Sequence, residues 1–196
     1  NLLALNFQPV WINRLLAVLT SELDTAVSER RQKLEILNFP GSSEMTFGDP
    51  ERLLQVLRNV LTNAVKYCEK DPVIKVTAAP EGGSLLISVS DNGIGISREH
   101  VDHIFEKFYR ITHGNIHKTK GLGLGLSICD RIARLLDLKL GLRSVPGRGS
   151  VFRLTLPRRL ADAVSTSPLP LEPPEYSQER EPLTEGKIQP DGPVRG

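Results

Sequence analysis

Two pairs of strand-like runs, each joined by a short glycine-containing turn, constrain the fold of this chain most strongly. The runs are PVIKVTAA and SLLISVS around EGG, and LKLGLRS and SVFRLTLP around PGRG. Apolar runs rich in β-branched residues that flank such turns predict antiparallel hairpins. A further run, LEILNF, predicts another strand. These strands predict a mixed and largely antiparallel sheet.

Apolar residues at three- to four-residue spacing predict three amphipathic helices, over about residues 10–30, 50–67 and 123–136. The apolar stripe of the first helix is Trp11, Leu15, Leu16, Leu19, Leu23 and Val27, and that of the second is Leu53, Leu57, Val60, Leu61 and Ala64. The second helix has the clearest start, because Asp49 is a favourable N-cap and Pro50 suits the first helical position. Helices with one apolar stripe cover one face of a sheet, which predicts a two-layer α+β fold.

The boundaries of the domain follow from a change in composition. The chain has 196 residues, of which 39% are apolar, and this is enough for one globular domain. From Arg158 onward the chain holds seven of its 14 prolines and few paired apolar residues. We therefore expect residues 9–157 to form the domain and residues 158–196 to be a disordered Pro-rich tail or linker.

Charge and cysteine usage exclude several classes of function. A formal net charge of +2 and only 5% aromatic residues argue against nucleic acid as a partner. Cys68 and Cys129 lack the CxxC spacing of metal or redox sites, which favours buried free thiols in a reducing compartment. No run is long and apolar enough to cross a bilayer. We therefore expect a cytoplasmic segment without membrane contact, which also fits the cytoplasmic part of a membrane-bound protein.

The helix over residues 50–67 carries an unusual second face. Asn59, Asn63, Lys66 and Tyr67 follow one another at three- to four-residue offsets, so they share one side of the helix. Amide oxygens suit a hard cation and a lysine suits phosphate, so the face could hold a magnesium-bound polyphosphate. An ordinary solvated polar face explains the same pattern equally well.

A second cluster, DNGIGI, spans Asp91 to Ile96 directly after an apolar strand. A carboxylate at the end of a strand can accept a hydrogen bond from an exocyclic amine, and glycines let a planar base lie against the backbone. Asn-Gly sequences are also common in turns, and by itself the turn is the better interpretation.

The third cluster is the glycine run in KGLGLGLSI, residues 120–128. It fails the GxGxxG spacing of dinucleotide folds and lacks the GK[ST] of a P-loop. What remains is a glycine loop that leads into a helix N-terminus, where backbone N–H groups bind anions. Basic residues upstream predict a mobile lid over phosphates: Lys107, Arg110, His113, His117, Lys118 and Lys120. Metal binding by His113 and His117, or by His100 and His103, is disfavoured because no carboxylate or thiolate cluster completes a site.

In order and spacing, these motifs resemble the catalytic, ATP-binding domain of sensor histidine kinases, within the GHKL or Bergerat-fold superfamily that includes gyrase. The matching segments are RLLQVLRNVLTNAVKYC for the N box, DNGIGI for the G1 box, IFEKFYR for the F box, KGLGLGLSI for the G2 box and GRGSVFRLTLP for the closing strand. The resemblance covers about residues 5–157. It implies a mixed five-stranded sheet covered by three helices, with an ATP lid.

The resemblance also implies ATP and Mg²⁺ as cofactors and assigns roles to residues. Asp91 would bond the adenine amino group, Asn63 would ligate magnesium with Asn59 nearby, and Lys66 and Arg110 would approach the phosphates. Asn63, Lys66 and Arg110 are the residues expected to act in catalysis. The rest of the implied nucleotide-binding set is Tyr67, Gly93, Gly95, Ile96, Phe108, Lys120, Gly121, Leu122, Gly123, Leu124, Gly125 and Leu126.

One part of the G2 box departs from the family pattern. Where the family has GGTGLGL, this chain has Lys120, Gly121 and Leu122 in the first three places. Leu122 loses a hydroxyl contact, and Lys120 adds a charge that could offset the loss. We expect nucleotide binding to persist, and Leu122 either slows closure of the lid or leaves it unchanged.

Asn59 separates phosphoryl transfer from hydrolysis. Gyrase-like relatives carry a glutamate general base at this position, and an amide cannot accept a proton usefully. The resemblance therefore implies transfer of the γ-phosphoryl group to a histidine on a dimerisation domain outside this chain, in a homodimer, and onward to an aspartate of a response regulator. Residues 1–8 would be the stub of the dimerisation helix or a connector. A non-catalytic ATP-sensing or docking module and an anti-sigma-type serine kinase are the alternatives.

Overall fold

The computed structural model describes residues 5–29, 33–37, 44–68, 72–111 and 122–160. The strands are β1 (Gln8–Trp11), β2 (Lys33–Leu37), β3 (Glu44–Gly48), β4 (Val73–Glu81), β5 (Ser84–Asp91), β6 (Lys139–Val145), β7 (Gly149–Pro157) and β8 (Arg159–Leu160). The helices are α1 (Ile12–Glu29), α2 (Pro50–Tyr67), α3 (Arg98–Val101) and α4 (Gly125–Leu135). Among the described residues, no helix is long and apolar enough to span a membrane.

The main sheet has five strands in the order β2-β4-β5-β7-β6. β2 runs parallel to β4, and the other neighbouring strands are antiparallel. Alternate residues face the helices, so that Val76, Val89 and Phe152 are buried side by side on neighbouring strands. The two hairpins and the mixed five-stranded sheet agree with the predictions.

The long helices cover one face of this sheet. All five residues of the predicted apolar stripe of α2 are buried, and α2 packs against α1, α4 and β5. The helix spans Pro50–Tyr67, the range predicted from its capping residues. In α4 the buried residues are Cys129, Ile132 and Ala133. The two-layer α+β arrangement is therefore confirmed.

Cys68 and Cys129 are free thiols, and both are buried as the sequence predicted. Burial raises the pKa of Cys129 to about 12 and also raises the pKa of Cys68. Both thiols therefore stay protonated at neutral pH.

A second sheet of three short strands, β1-β3-β8, was not predicted. Arg158 forms a two-pronged ion pair with the buried Glu44, with nitrogen-to-oxygen distances of 2.6 and 2.8 Å. Thr46 Oγ1 donates to the carbonyl of Pro157 at 2.8 Å, which joins the end of β7 to the small sheet. The expected boundary at residue 157 is thus wrong by three residues, because β8 pairs with β3 and extends the domain to Leu160. Residues 161–196 lie outside the described part.

Two predicted helix starts also differ from the structure. Trp11 belongs to β1, where it pairs with Met45, so the first helix begins at Ile12 and not at residue 10. α4 begins at Gly125 and not at residue 123, because Gly123 has a φ of 70° and lies outside the right-handed helical region.

The N-terminus of α2 depends on one carboxylate. Asp49 is buried, and its Oδ1 accepts from the backbone N–H groups of Glu51 and Arg52 at 3.0 and 3.2 Å. Its Oδ2 accepts from the N–H of Asn6 at 3.0 Å, which ties the segment before β1 to the same helix. One side chain therefore serves three backbone donors.

We predict that Asp49→Ala lowers the free energy of unfolding by about 1–2 kcal/mol, since it removes the cap and leaves the Asn6 donor without its acceptor. Asp49→Asn keeps an acceptor at the N-cap and should lose less than half as much. Urea denaturation of the two variants measures the difference. Equal stability of Asp49→Ala and the parent chain would contradict this account of α2.

Candidate functional site

The polar face of α2 lies where the helix approaches the start of α4. Asn59, Asn63, Lys66 and Tyr67 are all half-buried on α2. The Lys66 ammonium lies 5.1 Å from the centroid of the Tyr67 ring, a distance at which the cation is attracted to the ring face. A Cβ on Gly125 would lie 3.5 Å from Asn59 Oδ1, so α4 begins beside this face.

The start of α4 presents backbone donors. In the described part of the chain, its N-cap residue Leu124 makes no side-chain capping hydrogen bond. Ser127 Oγ donates to the carbonyl of Leu124 at 2.9 Å, so this contact is made to a carbonyl and not to an N–H group of the first turn. The first turn of a helix leaves its N–H groups without intrahelical partners, and these groups favour an anion.

The 91–96 loop, which follows β5, packs against the other end of α2. Asp91 Oδ1 accepts from the N–H of Gly93 at 2.9 Å, and the N–H of Ile94 donates to the carbonyl of Tyr67 at 3.2 Å. A Cβ on Gly93 would clash with that carbonyl, so this approach of loop to helix requires glycine. The predicted adenine-binding carboxylate thus lies next to the C-terminal end of the helix that carries Asn59 and Asn63.

Burial sets the ionisation of Asp91. Desolvation raises the pKa of this carboxyl, and hydrogen bonds from the backbone of Gly93 and Ser150 partly oppose the rise. A half-buried carboxylate with spare acceptor capacity can bind a donor such as an exocyclic amine more strongly than an exposed one can.

The turn between β6 and β7, with the end of β6, contacts the 91–96 loop from the side opposite α2. A Cβ on Gly95 would clash with the carbonyl of Val145, and the N–H of Gly147 donates to the carbonyl of Ile94 at 2.8 Å. The N–H of Ile96 donates to Ser144 Oγ at 2.7 Å. The sequence predicted the turn at PGRG but not this contact. Ser144 was missed because no local pattern marks a partner 48 residues away.

The two ends of the predicted lid lie against each other. The N–H of Phe108 donates to the carbonyl of Gly123 at 3.0 Å, and a Cβ on Gly123 would lie 2.9 Å from the carbonyl of Tyr109. Phe108 and Leu122 are both exposed. The hydrogen bond thus joins the two described segments that flank residues 112–121, which lie outside the described part.

Only some of the predicted lid residues belong to the described part of the chain. Lys120 and Gly121 lie outside the described residues, as do His113, His117 and Lys118. Lys107 and Arg110 are described and exposed, and Leu126 is half-buried in the first turn of α4.

The two remaining histidines have protein partners. His100 Nδ1 lies 2.7 Å from the Tyr109 hydroxyl, and His103 Nδ1 lies 2.7 Å from a carboxylate oxygen of Glu106. Within the described ranges, no three or more His, Cys, Asp or Glu side chains cluster as metal ligands would.

The family model described as "Histidine kinase-, DNA gyrase B-, and HSP90-like ATPase" matches residues 48–160. The chain belongs to this family. The matched segment runs from the end of β3 to the end of β8 and includes α2, the 91–96 loop and α4.

The curated relatives of the chain are sensor kinases. It is 42% identical over 119 residues to the sensor histidine kinase YkoH of Bacillus subtilis (strain 168), which covers 61% of this chain and 26% of that protein. It is 33% identical over 138 residues to the sensor histidine kinase MtrB of Mycobacterium tuberculosis (strain ATCC 25618 / H37Rv), which covers 70% of this chain and 24% of that protein. The chain thus spans about a quarter of the length of the curated relatives it matches.

Solved structures share the fold. Full-length ShkA in complex with AMPPNP aligns with a TM-score of 0.68 and 28% identity, over 82% of this chain and 33% of ShkA. The nucleotide-free catalytic domain of the histidine kinase ThkA aligns with a TM-score of 0.67 and 25% identity, over 78% of this chain and 97% of that domain. The prediction of a histidine kinase catalytic, ATP-binding domain of the GHKL superfamily is confirmed.

We predict that Asp91→Asn does not lower the stability of the nucleotide-free chain and raises it near neutral pH. The folded-state pKa of Asp91 is raised by burial, so the ionised carboxylate is less favourable in the folded state than in the unfolded one. The advantage of the Asn variant should be complete above the folded-state pKa and vanish as the pH falls through it towards the unfolded value, about 4. Urea denaturation at a series of pH values measures this. An Asn variant that is less stable at neutral pH, with the loss shrinking as the pH falls, would contradict it.

Proposed function

We propose that this chain is the ATP-binding catalytic domain of a two-component sensor histidine kinase, which transfers the γ-phosphoryl group of ATP to a histidine outside the chain. The observation that carries the proposal is the position of α2. Its C-terminal end is closed by the 91–96 loop, and its polar face meets the start of α4. This position supports a site in which one helix would connect a base site to a phosphate site.

The adenine would bind at the 91–96 loop. Asp91 would accept a hydrogen bond from the exocyclic amine, and Gly93, Gly95 and Ile96 would shape the pocket for the ring. Tyr67, whose ring packs under the Lys66 ammonium, would flank the nucleotide.

The polar face of α2 fits a magnesium-bound triphosphate. Mg²⁺ prefers oxygen ligands and usually takes only one or two from the protein, with the remainder from phosphates and water. Asn63 would supply an amide oxygen, with Asn59 nearby as a second polar contact. Held there, Mg²⁺ would supply positive charge that offsets part of the negative charge of the phosphates.

The phosphates would lie between this face and the start of α4. Lys66 and Arg110 would approach them as cations, and backbone N–H groups over Gly123–Leu126 would donate to their oxygens. Phe108 and Leu122 stand at the two ends of the lid, while Lys120 and Gly121 would contact the phosphates from within it.

Asn59 favours transfer over hydrolysis. An amide does not take a proton from water, so water beside the γ-phosphate gains little nucleophilicity. In transfer, an imidazole nitrogen would bond to the γ-phosphorus as the bond to the ADP oxygen breaks, and this domain would contribute positioning and charge stabilisation. The acceptor histidine would lie on the dimerisation domain of a homodimeric kinase, with the residues before β1 as the stub of the dimerisation helix or a connector. A response-regulator aspartate would receive the group next.

We predict that the chain, with ATP and Mg²⁺, hydrolyses ATP far more slowly than on the order of one per second, and that Asn59→Glu speeds hydrolysis at least about tenfold by adding a general base. Asn59→Gln, which keeps the amide, is the matched control and should stay slow. Release of phosphate measures all three rates.

The transfer itself is tested with ATP labelled on the γ-phosphate and a separately produced dimerisation domain that carries the acceptor histidine. Acid-labile label should appear on that domain and not on a version whose histidine is replaced. Tight ATP binding without label on either domain would instead favour an ATP-sensing or docking module. Label on a serine would favour an anti-sigma-type kinase.

A further inference from the structure

A side-chain contact that the proposed nucleotide site does not use joins α2 to the 91–96 loop. Asn92 Oδ1 lies 2.7 Å from Cys68 Sγ and accepts from the N–H of Val73 at 2.8 Å. A backbone N–H can only donate, so the Val73 contact fixes which end of the Asn92 amide points inwards. With the oxygen fixed in that direction, the thiol of Cys68 is the donor in the second contact.

The position of Asn92 makes this contact important for Asp91, the residue before it. Asn92 follows Asp91 directly, and Cys68 is the C-cap of α2, directly after Tyr67. On the other side of Asn92, Gly93 donates to the Asp91 carboxylate and Ile94 donates to the carbonyl of Tyr67. The Cys68–Asn92 bond is therefore the side-chain part of a junction whose backbone part holds the same loop.

The thiol is suited to a lasting structural contact. Cys68 is 2% exposed, and burial raises its pKa, so at neutral pH it is protonated and can donate. Removing the donor would break the side-chain hydrogen bond between Asn92 and Cys68. The loop could then shift relative to the helix while its own Asp91–Gly93 hydrogen bond remained.

We propose that Cys68 and Asn92 are positioning residues for base recognition, and that their hydrogen bond holds the Asp91 carboxylate where it distinguishes an exocyclic amine from a carbonyl oxygen. The inference deepens the proposed function and rests on it, since it requires that Asp91 reads the base. The end of α2 would then contribute to nucleotide specificity as well as to phosphate binding.

The test compares the dissociation constants of ATP and ITP, with Mg²⁺, for each variant. ITP carries the same triphosphate and sugar but has an oxygen in place of the adenine amine and a hydrogen on N1, so the ratio of the two constants reports recognition of this edge of the base. A loss of folded protein changes both constants by the same factor and cancels from the ratio. Cys68→Ala removes the donor, and Cys68→Ser, which keeps a hydroxyl donor of similar size, is the matched control.

We predict that Cys68→Ala lowers the preference for ATP over ITP by about three- to tenfold, the effect of one hydrogen bond, mainly through weaker ATP binding. Cys68→Ser should keep the preference within about twofold of the parent chain. Asn92→Ala should lower it at least as much, since it also removes the acceptor of the Val73 N–H. The double variant should lower it no further than Asn92→Ala does, because both changes break the Cys68–Asn92 contact.

Two outcomes would overturn the inference while the proposed function stands. One is that the parent chain prefers ATP and Cys68→Ala keeps that preference unchanged. The other is that Cys68→Ala weakens ATP and ITP equally, since this shows a structural effect without specificity. A parent chain that does not distinguish ATP from ITP would contradict the role of Asp91, and with it both proposals.

Discussion

The close approach of the 91–96 loop to the carbonyl of Tyr67 is the constraint on which the rest of the site depends. A side chain at Gly93 would occupy the space of that carbonyl, so only glycine lets the loop reach α2. Once the loop is there, the Ile94 N–H satisfies a carbonyl at the end of the helix that would otherwise lack a partner. Asp91 is thereby brought beside the helix that carries Asn59, Asn63 and Lys66.

The remaining elements position this helix and complete its surroundings. Asp49 fixes the start of α2 and also holds the N–H of Asn6. The Arg158–Glu44 ion pair joins the end of β7 to the strand that leads into Asp49. α4 begins beside the polar face of α2, and the Phe108–Gly123 hydrogen bond joins the described segments on either side of residues 112–121. The two ends of the proposed site are thus linked by α2 and the packed core around it.

The sequence predicts features that depend on neighbouring residues. The bounds of α2 could be predicted because Asp49 and Pro50 mark its start locally, and the β4–β5 hairpin could be predicted from alternation around EGG. The small sheet could not, because β1, β3 and β8 are short and pair over long separations, as Gln8 does with Gly48. α4 begins two residues later than the sequence predicts, because Gly123 has a positive φ where its carbonyl accepts from the N–H of Phe108.

The same limit applies to the candidate site. The motifs locate Asp91, Asn63 and the glycine loop, since each lies in a recognisable local pattern, and the roles of these residues remain proposals. The contacts of Ser144 with Ile96 and of Cys68 with Asn92 join residues far apart in the chain. Such contacts form only when the fold brings the partners together, and neither residue type nor spacing predicts them.

The most direct test of the central claim, that one helix joins a base site to a phosphate site, is titration of ATP with and without Mg²⁺. We expect Asp91→Asn to abolish binding under both conditions, because the negatively charged acceptor for the exocyclic amine is lost. Asn63→Ala should remove the part of the affinity that depends on Mg²⁺ and leave the binding seen without it. If both variants titrate ATP as the parent chain does, the assignment of the site is wrong.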